Sequence, residues 1–339
     1  MDILSMNITE LEQLMKDIGQ PTYRAVQIFE WLHQRFPAAA DGVFSFNEMN
    51  NLPKNLRNEL TSRCYITPAN IVERLTAKDG TIKSLIRLGE VHIETVLMEY
   101  AHGRSICIST QAGCRMGCIF CATGQSGLIR NLTASEMCQQ VYLAGGVRNI
   151  VLMGCGEPLD NFDATIRFVE LITHPKGVGI GQRHITLSTC GLVPKMRELA
   201  SRRLQINLAV SLHGTDDATR QALMPIARRY SIKELMAACR EYTEITHRRI
   251  TFEYALTSGV NDSPAQARAL AALLKGMLCH VNLIPVNPVE GQSLSPTKRR
   301  EAMAFAEILQ KAGIPATVRR TIGAEVNAAC GQLRAKKGV

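Results

Sequence analysis

From residue 104 onward the chain alternates short apolar runs with amphipathic stretches. SICIST, NIVLMG, HITLST, INLAVSLH, RITFEYAL and HVNLIP are brief, apolar and rich in β-branched residues, as strands covered on both faces are. Helical patterns separate them, and their ends are marked. In TASEMCQQVYLA, Thr133 and Glu136 have capping-box spacing, and SPTKRREAMAFAEILQKAG predicts a helix between Ser295 and Gly313. Strands alternating with helices imply a parallel sheet. Six such units predict an α/β fold, a partial (β/α)6 TIM-like barrel, with ligands at the C-terminal ends of the strands.

The first hundred residues follow another pattern. Thr9 and Glu12 form a second capping box before LEQLMKDIG, which Gly19 and Pro21 close. YRAVQIFEWLHQR and a segment starting near Pro53 predict two more helices. From Ile66 to Met98 the period changes to two, with AKDG as a turn between TIKSLIRL and VHIETVL on one side and the preceding strand on the other. The expected layout is a helical module over 1–64, a β linker over 65–104, the partial barrel over 105–314 and a C-terminal segment over 315–339.

Composition narrows the context. The chain has 339 residues, 46% hydrophobic, enough for a large core, and no apolar run long enough to span a membrane. Its start lacks the pattern of a secretion signal, so the expected location is the cytoplasm, with no membrane partner. Eleven cysteines in such a chain point to metal or redox chemistry rather than a disulfide framework. The formal charge is +9, and Arg202-Arg203, Arg228-Arg229, Arg248-Arg249, Lys298-Arg299-Arg300, Arg319-Arg320 and Lys336-Lys337 cluster as contacts to a phosphate backbone would. A merely solvated basic surface is the plainer alternative.

Polar residues stand immediately after the predicted strands: Gly156-Glu157, Ser188, Ser211 with His213, and Asn287. Together they predict one ligand face. After the first strand comes GCRMGCIFCATG, which places Cys114, Cys118 and Cys121 in a C-x3-C-x2-C pattern with no fourth cysteine close behind. A structural zinc site wants four closed ligands. A cubane iron-sulfur cluster held by three cysteines leaves one iron open to a further ligand, and this spacing resembles the radical S-adenosylmethionine superfamily. Zinc-bound or simply buried cysteines remain the alternatives. Cys64, Cys138, Cys155, Cys190, Cys239 and Cys279 read as small buried hydrophobes.

The resemblance then sharpens. GQPTYRAVQIFEWLH, CISTQAGCRMGCIFCATG, MGCGEPLDN, LSTCGLVP, LAVSLH, LMPI, IPVNPVEG and GAEVNAACGQL together resemble the dual-specificity ribosomal RNA adenine-C2 methyltransferases over nearly the whole chain. Cys155 and Cys190 depart from that family's usual methionine and serine, neither at a proposed catalytic position. The resemblance implies a [4Fe-4S] cluster on Cys114, Cys118 and Cys121, and S-adenosylmethionine held by Gly156, Glu157, Ser188, Ser211, Leu212, His213 and Asn287. It further implies that Cys330 carries a methyl group, that Cys107 resolves the intermediate through a disulfide, and that Glu94 accepts a proton. The implied partners are 23S rRNA, with an adenosine of the peptidyl-transferase region, tRNA, with the adenosine beside the anticodon, and an electron donor such as a flavodoxin-type reductant. The N-terminal helices and basic surface would grip the RNA, and a monomer is expected. Methylation of C8 by a relative with the same cysteines, a radical enzyme with a non-RNA substrate, and an iron-sulfur electron carrier are the competing readings.

Overall fold

The computed structural model describes residues 1–35, 45–101, 103–125, 127–289, 291, 293–319 and 323–333. Helix α1 (Ile8–Asp17) is capped by Asn7 rather than by Thr9: Asn7 Oδ1 accepts the Glu10 N–H and Glu10 Oε2 accepts the Asn7 N–H. Asn7 is the last residue with extended backbone, so its short side chain reaches the free amides first, and Thr9 already lies inside the first turn. Gly19 ends the helix with φ +67°, as expected. Helix α2 (Arg24–Glu30) runs into a wider π turn at Trp31–Arg35, and α3 (Lys54–Arg63) follows Pro53.

Strands β1 (Ala69–Thr76), β2 (Ile82–Leu88), β3 (Val91–Tyr100) and β4 (Gly103–Cys107) pair antiparallel in sequence, with Gly80 at the AKDG turn. Strands β5 (Gln111–Gly113) and β6 (Leu128–Asn131) form a separate hairpin that closes the cysteine loop between them. Strand β7 (Asn149–Leu152) then pairs parallel with β4, and β8 (Ile185–Thr189), β9 (Asn207–Ser211), β10 (Ile250–Leu256), β11 (Cys279–Pro285) and β12 (Ala316–Val318) continue the parallel order. Among the described residues this makes a ten-stranded mixed sheet with β1 and β12 at its edges. The six expected strands are β4 and β7 to β11; β12, three residues long, carries too little pattern to be seen in the sequence.

Helix α4 (Ala122–Gln125) is a single turn in the cysteine loop, and α5 (Ala134–Ala144) carries the Thr133–Glu136 box as read. The crossovers continue with α6 (Phe162–Thr173), α7 (Val193–Ser201), α8 (Asp217–Leu223), α9 (Ile232–Thr246), α10 (Pro264–Leu274) and α11 (Arg299–Lys311). Helix α11 starts later than Ser295 because that stretch is extended: the Ser295 carbonyl accepts the Ser258 N–H, and Pro296 bridges Thr257. One continuous apolar core runs from Ile3 and Leu11 in the N-terminal helices through Ile106, Ile150 and Leu187 to Phe305. Among the described residues no helix is long and apolar enough to cross a membrane.

Candidate active site

All seven parallel strands point their C-terminal ends the same way, and residues at or just after the ends of β7, β8, β9 and β11, with Glu253 and Ala255 of β10, line one open cavity. A sheet whose separated strands border a common cavity is curved around it. Gly156 and Glu157, Ser188, Ser211 and His213, and Asn287 all line it, as the strand-end rule predicts. Leu212 does not: its side chain is fully buried, and its N–H bonds the Glu253 carbonyl.

Cys114, Cys118 and Cys121 form one wall of this cavity. Their loop is pinned at its mouth, where the Cys114 N–H donates to the Gly127 carbonyl and Gly113 has φ +79°. A side chain on Gly113 would collide with that carbonyl, so the close crossing needs glycine. All three thiols are free, and burial pushes Cys114 up to about 12. Among the described residues no three His, Cys, Asp or Glu side chains converge as they would on a single metal ion. Three thiols on one cavity wall are soft sulfur donors of the kind that hold iron-sulfur clusters.

The C-terminal segment is stitched onto the same loop. The Ala122 N–H donates to the Gly331 carbonyl at 2.7 Å, Thr123 Oγ1 to the Leu333 carbonyl at 2.6 Å, and Asn287 Nδ2 to the Cys330 carbonyl at 3.0 Å. These bonds place half-buried Cys330 at the rim of the cavity. Cys330 also lines a second, narrower pocket, which it shares with Cys107. Cys107 is buried, and desolvation, reinforced by Cys330, raises its thiol to about 12.

Glu94 stands apart from both cavity linings. It lies on β3, two residues from Val96, which pairs with Cys107, and its carboxylate meets Lys83 Nζ at 3.1 Å. Glu157 uses its buried carboxylate locally: Oε1 accepts the Leu159 N–H and Oε2 the Cys190 N–H, while desolvation raises its pKa. His213 accepts the Ala255 N–H at Nδ1, and burial, then Arg220, lowers its pKa to about 3, so the ring stays neutral.

Three site residues escaped the sequence reading. Arg319, grouped there with surface basic pairs, sits half-buried with Nη1 3.0 Å from Cys330 Sγ. Its signal was present, since it directly follows the last strand, but that strand was not seen. Glu253 is a lone carboxylate inside the apolar RITFEYAL run and lines the cavity. Arg220 lies buried behind the cavity wall, on a helix whose sequence carries no mark of it. The six cysteines read as buried are all buried and free, and Cys190 also lines the cavity. Arg320, Lys336 and Lys337 fall outside the described residues.

Known proteins resolve what this geometry belongs to. A model of the radical SAM superfamily matches residues 108–271, and one of the ribosomal RNA large subunit methyltransferase N-terminal domain matches residues 1–66. The dual-specificity RNA methyltransferase RlmN of Clostridium perfringens (strain 13) is 49% identical over 98% of this chain and 96% of its own length. The chain belongs to the RlmN family. The RlmN protein of Alkaliphilus oremlandii is 50% identical over 99% of this chain and 98% of its own length. A crystal structure of a radical SAM methyltransferase from Sphaerobacter thermophilus superimposes with a TM-score of 0.92 at 47% identity, covering 98% and 99% of the two chains. This RlmN-family chain is therefore a radical SAM RNA methyltransferase with the α/β fold of that superfamily, which uses a [4Fe-4S] cluster and S-adenosylmethionine.

Proposed function

We propose that the chain methylates C2 of adenosine in 23S rRNA and in tRNA, with Cys330 as the carrier of the methyl carbon. One observation carries the reading: Cys330 lines two adjoining pockets at once, one walled by the three-cysteine loop and the other shared with Cys107. Cys114, Cys118 and Cys121 would hold the cluster, and Gly156, Glu157, Ser188, Ser211, His213 and Asn287 would enclose S-adenosylmethionine, with Leu212 contributing only backbone. When bound, the cluster supplies the electron that cleaves S-adenosylmethionine reductively.

Adenine C2 is electron-poor and does not attack a sulfonium methyl, so the carbon has to be delivered by another route. Cys330, a thiol, accepts a methyl group on sulfur. That methyl would lose one hydrogen atom to S-adenosylmethionine cleaved by the cluster electron, and its carbon would then bond to C2. Loss of one electron and of the C2 proton would leave the base joined to Cys330 through a thioether. The Cys107 thiolate then attacks the Cys330 sulfur, closing a disulfide as the carbon–sulfur bond breaks. The electron pair of that bond passes to the methylene carbon conjugated with the adenine ring, a proton completes the methyl group, and an external thiol later reduces the disulfide. Glu94, on the face of β3 that Val96 shares with Cys107, takes the C2 proton. Exposed Arg202, Arg203, Arg228, Arg229, Arg299 and Arg300 supply phosphate contacts, and a flavodoxin-type protein is the electron donor. The test is anaerobic reaction of reconstituted protein with S-adenosylmethionine, reductant and unmodified 23S rRNA or tRNA, followed by digestion and mass spectrometry. The expected product is 2-methyladenosine. 8-Methyladenosine, or no methyladenosine despite 5'-deoxyadenosine formation, overturns the assignment.

A further inference from the structure

Arg220 is 0% exposed on α8. Its Nη2 donates to the Cys190 carbonyl at 2.7 Å and, at 3.5 Å, to the Ser211 carbonyl, whereas Nε and Nη1 are buried without any hydrogen-bond partner. Asp217, an acid within electrostatic reach, already accepts the Ile232 N–H. Guanidinium stays protonated in protein interiors, and an uncompensated buried charge costs several kcal/mol.

The fold nevertheless makes room for this charge. A side chain on Gly191, where φ is +100°, would lie 3.1 Å from Arg220 Nη2, and one on Gly214 would lie 3.0 Å from the Arg220 backbone nitrogen. The charge also sits directly behind the three-cysteine loop. The Ile119 N–H donates to the carbonyl of Leu223 on the same helix, and Cys114, Cys118, Cys190, Leu223 and Met224 pack in one cluster. Burial lowers the guanidinium pKa, and Cys190 and Cys118 act against that fall.

A cluster bound through three thiolates is anionic, and each one-electron reduction adds a further negative charge. We propose that Arg220 is the buried counter-charge of the iron-sulfur site, a positioning residue that raises the reduction potential of a cluster held by Cys114, Cys118 and Cys121. The inference rests on that ligand assignment. It explains why a charge with two orphaned nitrogens is kept beside a loop that otherwise offers it only carbonyls and thiols.

The test uses full-length protein, anaerobically reconstituted, with dithionite as the one-electron donor and electron paramagnetic resonance as the readout. Arg220→Met and the charge-keeping Arg220→Lys are compared with wild type for iron and sulfide content, midpoint potential, and melting temperature with and without cluster. Arg220→Met is expected to lower the midpoint by at least a tenfold change in the one-electron equilibrium, about 59 mV, with Arg220→Lys close to wild type. Without cluster, Arg220→Met is expected to melt at or above wild type, because an unpaired charge has been removed. Equal potentials in all loaded proteins overturn the proposal. So does a cluster-free Arg220→Met that melts well below wild type or does not fold, the signature of a packing role alone. Wild-type protein that takes up no iron and sulfide, or takes them up equally after Cys118→Ala, refutes the ligand assignment instead.

Discussion

Arg319 Nη1 donates to Cys330 Sγ at 3.0 Å, and the Cys330 sulfur is the leading cause that raises the Arg319 pKa above its ordinary value. Arg319 directly follows the last strand, and its backbone N–H is anchored on the Leu283 carbonyl at 2.8 Å. The guanidinium is thus fixed against the sulfur, with one charged N–H aimed at it. A charge-assisted hydrogen bond contributes about 1.5–3 kcal/mol, so Arg319→Gln is expected to slow alkylation of Cys330 by iodoacetamide about tenfold or more. Peptide mass spectrometry over time reads that rate directly. Unchanged alkylation would leave the contact without a chemical role.

Cys330→Ala is expected to bind a cluster normally and to yield no methylated RNA, whereas Cys107→Ala should accumulate protein joined to RNA. A denaturing gel with labelled RNA separates the two. Normal product from Cys330→Ala would end the carrier account, and the absence of an RNA-linked band from Cys107→Ala would end the resolving one.

Glu253 introduces a pH dependence. Burial, opposed by Arg319 and then Asn282, raises its carboxyl from 4.5 to about 7. Between those values the folded protein holds a proton that the unfolded chain has released, so stability falls as pH rises through this window. The loss is on the order of 3 kcal/mol by pH 8. Glu253→Gln is expected to flatten the decline, gaining stability relative to wild type at pH 8 but not at pH 4.5. Parallel urea titrations at the two pH values measure it; identical slopes in both proteins would show that Glu253 is ionised throughout.

Gly156 has φ +106°, and a side chain there would lie 2.6 Å from Gln111 Cβ and 2.8 Å from the Gln111 backbone nitrogen. Gln111 Oε1 also accepts the Glu157 N–H at 2.9 Å, so displacing it moves the cavity wall. Gly156→Ala should cost about 2 kcal/mol or more, from backbone strain and overpacking together. Thermal melting checks the stability loss, and a melting temperature equal to wild type would mean that the wall yields without strain.

Much of this protein is written locally. A short apolar run forms a buried strand wherever it lies, so the six main strands, the Thr133 cap and the strand-end positions of Glu157, Ser188, Ser211, His213 and Asn287 follow from sequence alone. So does the three-cysteine loop, whose spacing is itself the signal. The sequence also carried the family resemblance that linked Cys330 to Cys107, though no periodicity connects those two residues.

Tertiary structure decided the rest, because the deciding quantities are register, curvature and loss of water. Only the pairing of β3 with β2 brings Glu94 to Lys83, and only the curve of the sheet lets the ends of β7 and β11 share a cavity. Arg319 looked like half of a surface pair until β12 carried it to Cys330, and Arg220 looked like any helical arginine until α8 was packed behind the thiols. The identity of a charged residue is local, but what its charge does depends on which groups the fold leaves beside it after water has gone.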